Sequence, residues 1–273
     1  MAYKLIAIDL DDTLLDDNLT IPERVKDAVK KAVDLGIYVV LCTGRIPKST
    51  RKYYDALGLD TLMISTGGAE IYDADNKAVY SRTVDPALVK RLMHYADSNG
   101  LHFQVYIDGD LVFRERNKYA LAYEQICGLT GIVKPDLMEM ETVVTPKVLF
   151  ISDFERMDDI QTRAEKEFPM LNIKRSKPTY VEFSTPGVSK GDALKFVAEY
   201  YGVNRQEIIA VGDAEIDIPM LEYAGLGVAM ANATLITKQA ADAICPSNNE
   251  GGVADVIQKY ILEAQNENKA QAR

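Results

Sequence analysis

Three short apolar runs in this chain each end on acidic or hydroxyl residues, and that repetition limits the fold more than any other feature. Lys4 to Leu10 closes on Asp9, Asp11 and Asp12. Ile37 to Leu41 gives way to Thr43-Gly44-Arg45, and Ile208 to Val211 gives way to Gly212-Asp213. Runs that are apolar throughout are buried on both faces and read as central strands of a parallel sheet. Helix signals separate them. Thr20-Ile21-Pro22-Glu23 offers a capping threonine, a proline in the first turn and a glutamate three residues after the cap, and Gly36 closes that helix. Another helix follows Pro47, and Thr61 to Ser65 is a further apolar strand. Strand-helix-strand order implies parallel pairing with right-handed crossovers. In such sheets ligands bind outside the carboxyl ends of the strands.

The texture changes near Tyr80. Ala69 to Thr83 reads as a hairpin turning around Asp73 to Asn76, and Asp85-Pro86 caps a helix to about Asn99. His102 to Ile107 and Leu111 to Arg114 flank Asp108-Gly109, a hairpin turn signal. Lys147 to Ile151 and Tyr180 to Ser184 are strands, with a helical stretch from Glu155 to Phe168 between them. Two to three antiparallel strands with helices predict a separate α+β insert over residues 84–187, interrupting an α/β core formed by 1–83 and 188–273, with a cleft between the two. In the second half of the core a helix opens at Ser189, strands cover Gly227 to Met230 and Ala243-Ile244, and a last helix starts near Gly251. The polar tail after Glu263 is expected to fray.

Of 273 residues, 47% are hydrophobic and 26% charged, enough apolar material for a sizeable core. A formal net charge of −10 disfavours a basic nucleic-acid surface or a binder of anionic membranes. An anionic ligand would therefore need local devices: a metal ion, a lysine or helix N-termini. Cys42, Cys127 and Cys245 are widely spaced, with neither metal-ligand spacing nor a disulfide framework, and each is expected to be a small buried hydrophobe. The first residues lack signal-peptide features and no apolar run reaches the ~20 residues that span a bilayer. The expected location is cytoplasmic.

Asp9 and Asp11, two apart on an extended chain, can point into one site. Two close carboxylates repel unless a cation or proton separates them, and a hard divalent ion such as Mg²⁺ would do so. The plainer alternative is a polar strand end with an acidic turn. Thr43-Gly44 supplies a hydroxyl and a bare backbone that an anion can approach. Ser189 can cap a helix with Asp192 as its capping-box partner, which puts Lys190 in a first turn that a bound anion would favour. Asp213, at a strand end, is a plausible metal ligand. Asp217, with Ile218-Pro219 behind it, is either a site residue or a helix cap.

Taken in order, Asp9-x-Asp11-x-Thr13, Thr43, Lys190 and Gly212-Asp213-x-x-x-Asp217 resemble the motif series of the haloacid dehalogenase-like (HAD) phosphatases. The insert resembles the large C2-type cap of the Cof-type subgroup. Asp217-Ile218-Pro219-Met220 and Gly227-Val228-Ala229-Met230-Ala231-Asn232-Ala233 resemble the YidA-like sugar-phosphate phosphatases. The resemblance covers essentially the whole chain. It implies a Rossmann-like parallel-sheet core, with Asp9 as a nucleophile forming an aspartyl-phosphate and Asp11 as general acid, then base. It further implies Mg²⁺ held by Asp9, the Asp11 backbone carbonyl and Asp213, with Asp217 in the outer shell. Thr43, the Gly44 amide and Lys190 would hold the phosphoryl oxygens, and Asn232 resembles a substrate-site residue, with a turn or helix cap as its alternative. The implied partner is a small phosphorylated metabolite, over which the insert should close; neither nucleic acid nor membrane is expected.

Two positions depart from the family pattern. Ile216 stands where an asparagine usually helps bind phosphate, and Gly67-Gly68-Ala69 replaces Asn-Gly-Ala. An apolar side chain donates no hydrogen bond, so an active enzyme with a weakened phosphate contact is expected. His94 and His102 read as partly exposed packing residues. Arg114, Arg116 and Lys118 read as a solvated face or as a contact for a second anionic group. The rival functions are a phosphatase of another metabolite, such as a phosphorylated cofactor or nucleotide, and a metabolite-binding protein that has lost turnover.

Overall fold

A computed structural model describes residues 2–264. The elements up to the insert are β1 (Leu5–Ile8), α1 (Glu23–Asp34), β2 (Tyr38–Leu41), α2 (Pro47–Ala56), β3 (Met63–Ser65), β4 (Glu70–Tyr72) and β5 (Ala78–Ser81). The next are α3 (Pro86–Ser98), β6 (His102–Ile107), β7 (Asp110–Phe113), α4 (Lys118–Cys127), β8 (Ile132–Val133), β9 (Lys147–Ile151), α5 (Phe154–Glu167), β10 (Asn172–Lys177) and β11 (Tyr180–Ser184). Then come α6 (Lys190–Tyr201), β12 (Ile208–Gly212), α7 (Ile218–Tyr223), β13 (Leu226–Met230), α8 (Leu235–Ala240), β14 (Ala243–Cys245) and α9 (Gly252–Ile257). No helix among the described residues is long and apolar enough to cross a membrane. The expected fraying after Glu263 falls almost entirely outside the described residues.

Contacts divide the described chain into two units. The first comprises residues 2–44, 50–79 and 189–264, the second residues 45–49 and 80–188. The first unit is built on a sheet of order β14-β13-β12-β1-β2, parallel throughout. β1 lies at its interior and is wholly buried, as its unbroken apolar sequence requires. Apolar residues of α1 and α9 (Val25, Val29, Val253, Ile257) pack with Ile6, Ile8 and Val39 in one core. β3 pairs with this sheet through the parallel bridge Cys42–Ile64; its ladder is antiparallel with β4. The start of α1 differs from the capping pattern: Pro22 is the N-cap, without a side-chain bond. Thr20 is not available to cap, because its hydroxyl and its N–H both donate to Asp16, at 2.8 and 2.9 Å.

The second unit carries six strands, in the order β10-β11-β9-β6-β7-β8; β6, β7, β9 and β11 match the stretches the sequence marks, and β8 and β10 are additional. β10 (NIKRSK) is a polar edge strand with no apolar alternation to announce it. α4, capped by Asn117, also went unread; only Ala120 of this helix is buried. One sheet face packs Phe103, Val105, Phe150 and Phe183 with Leu92 and Ile160 of α3 and α5. Ile46 joins Tyr106, Leu111, Phe113 and Ala120, and the Ser49 hydroxyl donates to the Cys127 carbonyl at 2.9 Å, which places 45–49 with this unit. His102 is buried rather than partly exposed, and burial holds its pKa below the usual histidine value. Arg114, Arg116 and Lys118 are each matched with an acid of this unit, Asp97, Glu124 and Asp153.

On this sheet Lys147 donates to Glu182 at 2.9 Å, with 6% and 21% of the two side chains exposed. Burial alone would raise the Glu182 pKa, but the Lys147 ammonium holds it below the usual value. Removing one charge strands the other, so Lys147→Met should lower stability by about 3 kcal/mol, whereas Lys147→Met with Glu182→Leu should recover most of that loss. Urea unfolding followed by circular dichroism checks this; a double variant no more stable than the single one contradicts it.

Candidate active site

The carboxyl end of β1 is extended by one more ladder bond, in which the Asp9 N–H donates to the Val211 carbonyl at 2.9 Å. Asp9 (φ −66°, ψ 160°) and Asp11 (φ −74°, ψ 135°) are both extended, and Asp12 then turns the chain at φ 56°, a left-handed conformation that aspartate tolerates. The Leu15 N–H closes this turn on the Leu10 carbonyl at 2.9 Å. The Thr13 hydroxyl donates to Asp213 Oδ1 at 2.9 Å and ties the turn to the end of β12.

Lys190 is the hub. Its Nζ lies 2.5 Å from Asp9 Oδ1 and 2.5 Å from Asp217 Oδ1, and all three side chains are buried. Ser189 caps α6 by accepting from the Asp192 N–H, so the ammonium projects from a fixed first turn. Asp217 Oδ2 accepts from the N–H groups of Asp213 and Ala214, each at 3.0 Å. Its carboxylate makes no bond into α7, so the helix-cap alternative gives way to a buried anchor. Two glycines permit this packing. A Cβ on Gly212 would lie 2.6 Å from the Asp217 Cβ, and one on Gly191 would lie 2.4 Å from the Pro219 carbonyl oxygen.

Carboxylate oxygens of Asp9, Asp213 and Asp217 all fall within 4.8 Å of one another. Asp11 is not part of that cluster. Burial raises the Asp9 pKa and the Asp217 charge adds to it, while Lys190 opposes both. Burial and Asp217 likewise push Asp213 up to about 7. The ammonium of Lys190 is held in its charged form by the Asp217 and Asp9 carboxylates, against its own burial. Once ionised, three carboxylates around one ammonium leave two negative charges in a mostly buried space. An all-oxygen donor set of that charge fits a hard divalent cation such as Mg²⁺.

Thr43 is fully buried beyond β2, and its carbonyl accepts from the Gly67 N–H at 3.0 Å. At Gly44 a Cβ would meet nothing within 4 Å, so the fold itself leaves room there. Asn232 donates to the Asp12 carbonyl at 2.7 Å and accepts from the Asn248 N–H at 3.1 Å, so one donor and one acceptor of its amide brace the Asp12 turn. Asn248 also donates to the Leu15 carbonyl at 3.0 Å. The sequence marks Thr13 only as a motif position and does not mark Asn248, because their partners lie 200 and 233 residues away, where spacing carries no signal.

The model of the haloacid dehalogenase-like hydrolases matches residues 6–257. The chain belongs to that family. A Bacillus subtilis 5-amino-6-(5-phospho-D-ribitylamino)uracil phosphatase, YcsE, is 34% identical over 95% of this chain and 96% of its own length. A second B. subtilis protein named for the same activity, YitU, is 31% identical over 94% and 97%. Among solved structures, a Thermotoga maritima protein superposes with a TM-score of 0.86 at 31% identity over 94% of this chain and 97% of the other. A haloacid dehalogenase-like hydrolase from Bacteroides thetaiotaomicron gives 0.88 at 27% over 94% and 99%. This HAD hydrolase is thus a Cof-type enzyme of the phosphatase kind, with the α/β core of its relatives.

An acid whose folded pKa is raised favours folding less as pH climbs from its unfolded value, near 4, to its folded one. For Asp213 that window ends at about 7, and a divalent cation that replaces the proton removes the loss. The rise in Tm produced by Mg²⁺ should therefore be greater at pH 8 than at pH 5.5 in thermal unfolding. A rise that shrinks with pH contradicts the charge assignment.

Proposed function

We propose that this enzyme is a Mg²⁺-dependent phosphatase of small phosphomonoesters, sugar phosphates first, acting through an aspartyl-phosphate on Asp9. The reading rests on one observation above the others: the buried Lys190 ammonium between Asp9 and Asp217, beside Asp213, at the carboxyl ends of β1 and β12. Asp9, Asp213 and the Asp11 backbone carbonyl would hold Mg²⁺, with Asp217 behind them. When bound, the ion supplies the positive charge that lets a carboxylate approach an anionic phosphoryl group.

Asp9 attacks phosphorus in line with the ester oxygen, forming its own O–P bond as the ester O–P bond breaks. Asp11 gives its proton to the departing oxygen. In the second half, Asp11 takes a proton from water as that water attacks phosphorus, releasing inorganic phosphate and restoring Asp9. The Thr43 hydroxyl, the Gly44 N–H and Lys190 hold the phosphoryl oxygens as charge redistributes. The open space over Gly44 supports a backbone amide that an anion can reach. The free cysteines Cys42, Cys127 and Cys245 fit a reducing cytoplasm, and a small phosphorylated metabolite as partner would be held by the local charges of the site against the acidic whole.

A second reading is a phosphorylated ribitylamino-pyrimidine, favoured by the activity for which YcsE and YitU are named. Phosphate release from a panel of sugar phosphates, nucleotides and ribityl phosphates separates the two. Release should require Mg²⁺ and fall by at least about 1,000-fold in Asp9→Asn. A folded, Mg²⁺-loaded protein that releases no phosphate from any of them refutes both.

A further inference from the structure

Ile216 stands between Asp213 and Asp217, a half-buried apolar side chain on the loop that carries two site carboxylates. Its Cδ1 lies 3.6 Å from the point a Cβ on Gly67 would occupy. Gly67, at φ +68°, donates its N–H to the Thr43 carbonyl. Its neighbour Gly68 is pressed onto the start of α6, where a Cβ would lie 2.2 Å from the Ser189 carbonyl oxygen and 3.0 Å from the Lys190 nitrogen. Residues 66–68 thus lie between Thr43 and Lys190, and Ile216 stands at van der Waals distance from where a side chain at 67 would begin. The two departures from the family pattern therefore face the same space. At this rim neither position offers a side-chain hydrogen bond.

We infer that Gly67 and Ile216 form a single specificity-determining element, an apolar rim beside the phosphoryl group that selects esters of primary alcohols. The inference deepens the phosphatase reading above and rests on it. A methylene attached to the ester oxygen meets the Ile216 methyl with a dispersion contact and loses nothing. A hydroxyl or ring oxygen flanking the ester carbon gives up its water there and finds no partner. Pocket discrimination of this kind is worth about 10-fold to 100-fold.

The test compares two esters of one sugar, hexose 6-phosphate (primary) and hexose 1-phosphate (anomeric), by turnover and by calorimetric binding to Asp9→Asn protein with Mg²⁺. The primary ester should be preferred by at least about 10-fold, and Ile216→Asn should bring that ratio near parity. Ile216→Val, which keeps the apolar rim, should retain the preference and serves as the control for folding. Asparagine is tolerated at left-handed positions, so Gly67→Asn is compatible with the backbone. Its effect on the ratio should differ between the wild-type and Ile216→Asn backgrounds, because the two side chains would touch. A ratio that is the same in wild type and Ile216→Asn overturns the inference and leaves the phosphatase reading standing. Binding preference that shifts as expected without any phosphate release overturns the phosphatase reading instead. If the Asp9→Asn protein binds neither ester, both fail.

Discussion

One buried lysine organises the core unit. Lys190 is held at 2.5 Å from two carboxylates that arrive from different strand ends, and nothing else described at the site opposes so much negative charge. The cost of burying an ammonium is offset only because its partners are close and the remaining oxygen of Asp217 is satisfied by backbone N–H groups. Much of the local packing follows from that requirement. Gly212 has no side chain because Asp217 lies against it, Gly191 has none because α7 begins against it, and Ser189 fixes the turn from which Lys190 projects. The acidic charge that remains fits a divalent cation in the same space.

The parallel core was legible because its strands carry their own label, an unbroken apolar run that ends on a functional residue. Asp9, Lys190 and Asp213, which the structure brings together, lie at strand ends or in a helix first turn, where local sequence is informative. What stayed hidden depended on distant partners. Thr13 meets Asp213, Asn248 braces the end of the Asp12 turn, and the Asn232 amide also braces that turn, none of which spacing can report. Thr20 was misread because a local competitor, Asp16, captures its hydroxyl before it can cap α1.

The insert was less legible for a related reason. β10 is polar along most of its length and pairs only with β11, so it lacks the alternation that marks a half-buried strand. The stretch 45–49 reads locally as the exit from a core strand, yet Ile46 is buried among residues of the second unit. Gly67 and Ile216 are two separate irregularities in the sequence, and in the structure Ile216 stands where a side chain at 67 would begin.

The central claim is that Lys190 and a divalent cation share the neutralisation of three clustered carboxylates, those of Asp9 and Asp217 buried and that of Asp213 half-buried. Thermal unfolding of Lys190→Met with and without Mg²⁺, beside the wild type, tests it most directly. Without its ammonium the metal-free variant should melt lower than wild type, and Mg²⁺ should raise its Tm by more than it raises that of the wild type. A Mg²⁺-induced rise equal to or smaller than the wild-type one would mean that the lysine and the cation do not answer the same charge.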